Sequence, residues 1–157
     1  ERQGAIAVMH NPLRTLSLSA AIACAALAPG AAAAQSDAAG GGGSFMLELN
    51  NARSEGQGCR LTYVATNETG TDIEEIGYEV AVFDTEGVVD RLLILEFGRL
   101  SDGRTKVVQF DLAETSCDGI SRLLVNGVAA CTAADGSEPD CLGMLETSAR
   151  GDIAFGM

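Results

Sequence analysis

Apolar and polar positions alternate along most of the chain beyond residue 44. Phe45, Leu47 and Leu49 share one face, with Met46 and Glu48 on the other. Cys59, Leu61, Tyr63 and Ala65 alternate with Arg60, Thr62 and Thr66. Ile76, Tyr78, Val80 and Val82 alternate with Gly77, Glu79, Ala81 and Phe83. Residues 88–97 form a nearly continuous apolar run, interrupted by Asp90, Arg91 and Glu96. Residues 106–112 set Val108, Phe110 and Leu112 on one face against Gln109 and Asp111. Residues 120–126 and 152–155 are two further runs. A period of two, rich in β-branched and aromatic residues, predicts strands. The breaks carry turn chemistry at Thr69-Gly70, Glu86-Gly87, Asp102-Gly103 and Asp118-Gly119. Asn126-Gly127 either makes a hairpin or ends the sixth strand. Seven short strands at this spacing predict an all-β fold, a seven-stranded immunoglobulin-like β-sandwich. One short helix is expected over residues 141–148, in the connection before the last strand.

The first 44 residues follow other rules. Met9 has the position of a start, followed by Arg14, an apolar stretch over residues 16–28, Pro29-Gly30 and Ala31-Ala32-Ala33-Ala34. This is the layout of a secretory signal peptide, with cleavage expected after Ala34. The apolar stretch is shorter than the roughly 20 residues a spanning helix needs. No Arg-Arg pair precedes it, so the general secretory route is expected rather than twin-arginine export. Cys24 lies inside the leader without the usual Leu three residues before it and with more apolar sequence after it. It reads as a small apolar leader residue, not a lipidation site. The chain therefore divides into upstream residues and leader (1–34), a Gly-rich linker (35–44) and one domain (45–157) of about 110 residues, an ordinary domain size.

Charge narrows the function classes. The whole chain has 10 basic and 22 acidic residues, a net −12. Removing residues 1–34 takes away Glu1, Arg2 and Arg14, which leaves 8 bases against 21 acids, a net −13. Such a surface repels nucleic acid, whose phosphates require clustered Lys and Arg. The only histidine, His10, lies in the leader. Nucleophile triads that rely on a His base are thereby excluded for the exported chain.

Four cysteines remain after the leader: Cys59, Cys117, Cys131 and Cys141. An even count in an exported chain implies two disulfides, with three possible pairings. The seven-strand arrangement selects among them. Cys59 opens the second strand and Cys117 lies between the fifth and sixth, connections expected at the same end of the sandwich. Cys131 follows the sixth strand at the other end, close to Cys141. The expected bridges are Cys59–Cys117 and Cys131–Cys141. The first closes 58 residues, which in the loop-entropy account stabilises by about 4 kcal/mol. Metal or redox use would call for His or Cys-x-x-Cys spacing, which the exported chain lacks.

The remaining candidates are acidic. Asp84 and Glu86 in one loop, and Asp135, Glu138 and Asp140 in another, are weak Ca²⁺ candidates that lack EF-hand spacing. Their plain reading is a strand turn and a solvated loop. Glu74-Glu75 is the kind of carboxylate pair a hydrolase without His would use, although such pairs usually mark solvated strand edges. The single lysine, Lys106, reads as a solvated strand residue. No catalytic or cofactor-binding residue is assigned, and no cofactor is expected.

Residues 78–87, Tyr78-Glu79-Val80-Ala81-Val82-Phe83-Asp84-Thr85-Glu86-Gly87, resemble the central strand and turn of FxLyD-type domains. In this chain Val80 and Val82 replace Phe and Leu, Phe83 replaces Tyr, and Asp84 is retained. Val64-Ala65-Thr66-Asn67-Glu68-Thr69-Gly70 is similar to that family's second strand, which ends in Asn-x-Thr-Gly. Several further landmarks are similar to exported alphaproteobacterial proteins labelled "Tat pathway signal sequence domain protein". They are Val89-Asp90-Arg91-Leu92, Phe97-Gly98-x-Leu100, Gln109-Phe110-Asp111-Leu112, Cys117-Asp118-Gly119-Ile120, Val125-Asn126 and the Cys131/Cys141 pair, spread over residues 45–157. The resemblance implies an immunoglobulin-like exported domain and no particular activity. The expected function is a periplasmic, non-enzymatic binding or accessory domain for a protein or envelope component. Sheet edges or the 135–140 loop are its expected contact surfaces. A Ca²⁺-stabilised surface module is the alternative, followed by a hydrolase using carboxylates alone.

Overall fold

The computed structural model describes residues 43–157. The expected leader, its cleavage site, Cys24 and most of the Gly-rich linker lie outside the described residues. Eight strands make up the fold: β1 (Ser44–Glu55), β2 (Gly58–Glu68), β3 (Ile73–Asp84), β4 (Val89–Glu96), β5 (Arg104–Leu112), β6 (Ile120–Ala133), β7 (Leu145–Ala149) and β8 (Ala154–Gly156). A single 3₁₀ turn, Cys117–Gly119, precedes β6. The strands form two four-stranded sheets, ordered β5-β2-β1-β7 and β4-β3-β6-β8. The fold is all-β, and the two sheets are consistent with a β-sandwich.

Alternation decides which side chains face inward. Phe45, Leu47 and Leu49 of β1 and Cys59, Leu61, Tyr63 and Ala65 of β2 are buried. From the second sheet Ile76, Tyr78, Val80, Val82, Leu123 and Val125 join the same core. Tyr63 meets Phe97, Phe110 and Phe155 edge-on at centroid distances of 5.6, 5.9 and 5.3 Å. Such tilted contacts align a ring's positive edge with its neighbour's negative face. Tyr63 and Phe155 belong to different sheets, so this contact ties the layers together. Phe83 faces outward instead, with the Arg122 guanidinium 4.1 Å above its ring.

The structure corrects the expected outline in four places. No helix forms over residues 141–148. Cys141–Met144 is a turn, and Leu145–Ala149 is strand β7, paired in parallel with β1. This eighth strand replaces the expected count of seven. Asn126-Gly127 neither makes a hairpin nor ends a strand. Gly127 pairs with Glu79 and Val125 with Val80, so Asn126 is the extra residue of a bulge and β6 runs on to Ala133. Cys131 consequently lies inside β6, not after it. Finally, Gly43 and Ser44 belong to the domain and not to a linker. Ser44 pairs with Glu68, and a side chain on Gly43 would run into the Glu68 carbonyl and Thr69 backbone.

The chain changes sheets repeatedly. β1 and β2 lie in one sheet, β3 and β4 in the other, and β5, β6, β7 and β8 then alternate between them. Both late strands pair in parallel, β7 with β1 and β8 with β6. Parallel neighbours cannot be joined by a tight turn and need a crossover. The passage from β6 through β7 to β8 supplies one.

Candidate functional site

The cysteines pair as Cys59–Cys117 and Cys131–Cys141, across sequence separations of 58 and 10 residues. The first joins the start of β2 to the 3₁₀ turn. The second joins β6 to the turn before β7. Tyr78 reinforces that second junction, since its hydroxyl donates to the Cys141 carbonyl at 2.8 Å. Burial raises the pKa of both Tyr63 and Tyr78 above the usual tyrosine value.

The acidic candidates are separated, and their oxygens serve their own turns. Asp84 closes the β3–β4 turn, with its Oδ1 accepting from the Glu86 and Val88 amides at 2.9 Å each. Glu86 is exposed beside it. In the other loop, Asp135 Oδ1 accepts from the Ser137 hydroxyl at 2.6 Å and the Ser137 amide at 2.9 Å. These bonds hold its carboxyl below the usual aspartate range. Asp140 Oδ1 accepts from the Gly143 amide at 2.9 Å, and Glu138 is exposed. The Ala134 amide bonds to the Asp72 carbonyl at 2.8 Å, just before β3, so the second loop lies at the opposite end of β3 from Asp84. The 12 residues of β3 put those ends roughly 36 Å apart. Among the described residues, no group of three or more His, Cys, Asp or Glu side chains is gathered as a metal would require.

Two of the other titratable candidates, Glu74 and Lys106, are also engaged. Glu74 pairs with Arg99, and Glu75 lies opposite Thr132 in the sheet. Lys106 donates to the Arg99 carbonyl at 3.0 Å. On the outer face of β1, β2 and β5, Arg60 forks onto Asp111 at 2.6 and 2.9 Å and reaches Glu55 at 2.9 Å. Arg60 holds the Asp111 carboxyl below its ordinary value, and Asp111 raises that of Arg60. Arg150, 2.9 Å from Glu48, does the same for the Glu48 carboxyl, with help from Asn50. Two shallow hollows, about 420 and 370 Å³, open beside Cys59 and Cys117. The first is flanked by the Arg60–Asp111 pair, the second by Arg150 and Asp152.

One surface stands apart from this network. β4 is an edge strand with a single hydrogen-bonded neighbour, β3. Its outward residues Leu92 and Ile94 lie opposite Ala81 and Glu79. They are 55% and 61% exposed, and Val88 and Val89 next to them are 58% and 48% exposed. Four large apolar side chains thus face solvent along one edge. The sequence showed this run as the nearly continuous apolar stretch 88–97, which by itself reads as a fully buried strand. Only the sheet order reveals that one side of it has no cover.

Asn67 was also not singled out as a site. It is fully buried, and its amide nitrogen donates to the carbonyls of Thr71 and Leu100 at 2.9 and 2.8 Å. Its Oδ1 accepts from the Thr69 amide and hydroxyl at 3.0 and 2.7 Å. All four bonds serve to hold the β2–β3 crossover. The Asn-x-Thr-Gly sequence signals the turn but not the remote contact with Leu100.

Among the described residues, no helix is long and apolar enough to cross a membrane. No protein-family model, curated protein or solved structure matches the chain.

Proposed function

We propose that this chain is an exported, non-enzymatic domain that binds a protein or envelope component. The observation that carries this reading is the uncovered apolar stripe formed by Val88 in the turn before β4 and by Val89, Leu92 and Ile94 of β4. An exposed stripe of this kind is costly in water and is commonly kept for a contact. Two disulfides support an oxidising compartment such as the periplasm. The leader-like sequence at residues 9–34 supports the same location.

An immunoglobulin-like assignment accompanies this reading. β1, β2 and β5 share one sheet while β3 and β6 share the other, as the corresponding strands do in that fold. β8 takes the place beside β6 that the last strand of that fold occupies, although it runs parallel. Ca²⁺ binding gains no supporting observation, because its candidate acids sit at separate turns, and carboxylate hydrolysis gains none, because Glu74 of β3 is paired with Arg99.

The test is affinity capture from an envelope extract with the full chain, with chemical cross-linking to measure stoichiometry. A partner retained in a fixed ratio, lost on Ile94→Lys and kept when residues 135–140 are replaced by a neutral loop, is the expected result. Absence of any stoichiometric partner would overturn the reading.

A further inference from the structure

Resting on that reading, we propose that β4 takes up an extended strand from its partner, with the pattern basic-x-apolar-x-apolar-x-basic. The argument starts from the edge itself. A sheet edge offers unpaired N–H and C=O groups, and proteins usually blunt it with charges, bulges or a covering segment. The other edges of this fold are short or carry an inward-turned charge. β5 turns Lys106 inward to the Arg99 carbonyl, and β7 and β8 have only 5 and 3 residues. β4 has 8 residues, with a bulge only at Asp90 near its start, and keeps Leu92-Leu93-Ile94-Leu95 uninterrupted at its centre. Its three exposed apolar side chains and the adjoining Val88 present on the order of 400 Å², a size at which surface patches are often functional. Strand addition uses this combination, with the backbone supplying affinity and alternate side chains supplying selectivity.

Charge selects the occupant. The outward positions of β4 at spacing two run Leu92, Ile94, Glu96, and Asp90 precedes them, exposed, as the extra residue of a bulge against β3. Among the described residues Glu96 has no ion-pair partner, and neither has Glu79, the β3 residue opposite Ile94. Asp90 is shared only with its neighbour Arg91 at 2.7 Å. A partner strand facing this row gains by placing apolar residues against Leu92 and Ile94 and cations against Asp90 and Glu96.

A second copy of the chain fits poorly. Antiparallel self-pairing that sets Leu92 against Ile94 also sets Asp90 against Glu96, twice. Self-pairing about Leu92 sets Asp90 against Ile94 instead. Residues 43–157 carry 8 bases and 20 acids, a net −12, which adds long-range repulsion between copies.

The test titrates the ¹⁵N-labelled full chain with a synthetic peptide whose core is Lys-Thr-Val-Thr-Ile-Thr-Lys. A control peptide has Glu in place of both Lys. Saturable amide shifts confined to residues 88–96 and the adjoining part of β3 are expected, with binding weakened about tenfold or more for the Glu peptide. A D90K/E96K double variant should reverse that preference. These substitutions are exposed, and an unchanged amide spectrum elsewhere reports that the variant is folded. The proposal is overturned by equal binding of both peptides or by the absence of β4 shifts at millimolar peptide. β4 shifts that grow with protein concentration alone, alongside a doubled mass in sedimentation, would assign the edge to a second copy and also overturn it. An envelope partner that survives Ile94→Lys would sink strand addition while leaving the binding-domain reading in place. If no partner is captured, the broader reading fails whatever the peptide does.

Discussion

The hydroxyl of Tyr63 is buried among Phe97, Phe110 and Phe155 without a hydrogen-bond partner, whereas that of Tyr78 donates to the Cys141 carbonyl. A buried polar group without a partner costs free energy, while a satisfied one costs when its partner is orphaned. Tyr63→Phe is therefore expected to raise stability by about 1 kcal/mol, and Tyr78→Phe to lower it by about 1–2 kcal/mol. Urea unfolding midpoints measure both, and a lower midpoint for Tyr63→Phe would mean that its hydroxyl holds a bound water. Asn67→Ala should cost more than Tyr78→Phe, since it strands two carbonyls and an amide at once. At this scale the sequence was informative about facing but not about partners. Alternation placed Tyr63 and Tyr78 in the core, yet nothing local distinguishes a tyrosine whose hydroxyl meets a carbonyl 63 residues away from one that meets none.

Among the elements, β1, β2, β3 and β5 were legible from a period of two, β4 from its apolar run, and β6 only as far as Asn126, where a bulge hides its continuation to Ala133. β7 was not. Cys141–Leu145 begins as a helix would, with the Met144 amide bonded to the Asp140 carbonyl at 3.0 Å and Leu145 to Leu142 at 3.2 Å. The Met144 carbonyl then accepts from the Phe45 amide at 2.8 Å, and the segment continues as a strand. That choice depends on an edge of β1 one hundred residues earlier in the chain. A five-residue strand carries too short a pattern to announce it. The disulfides differ in what they constrain. Removing Cys59–Cys117 by paired Ala substitution should cost about 1.5 kcal/mol more than removing Cys131–Cys141 on loop length alone. Equal losses in guanidinium unfolding would show that native packing, not chain entropy, sets their value. On β4, Leu92→Thr should leave the unfolding midpoint within about 0.5 kcal/mol of the parent, because its side chain is already in water.

For the whole molecule, charge governs the response to solvent. The −12 of residues 43–157 makes the folded state self-repulsive, so added salt should raise the melting temperature. Three carboxyls have folded-state values held low: Glu48 by Arg150, Asp111 by Arg60 and Asp135 by Ser137. A depressed value adds stability that is complete above the unfolded-state value and is lost as pH falls through the folded one. Stability should thus decline below the ordinary carboxylate range, and Arg60→Met should make that decline shallower. Melting curves from neutral to acid pH would read both, and an unchanged acid limb in Arg60→Met would remove the Asp111 pair from the account.

The parallel pairing of β7 with β1 has a consequence in time. A ribosome delivers β1 first and β7 more than eighty residues later, with Phe155 of β8 arriving after that. Until then the first strand has one free margin, and Tyr63 lacks its contact with Phe155. The core cannot close until β8 has been made. A chain stopped at Gly151 should therefore remain protease-sensitive even though it retains six full strands, β7 and all four cysteines.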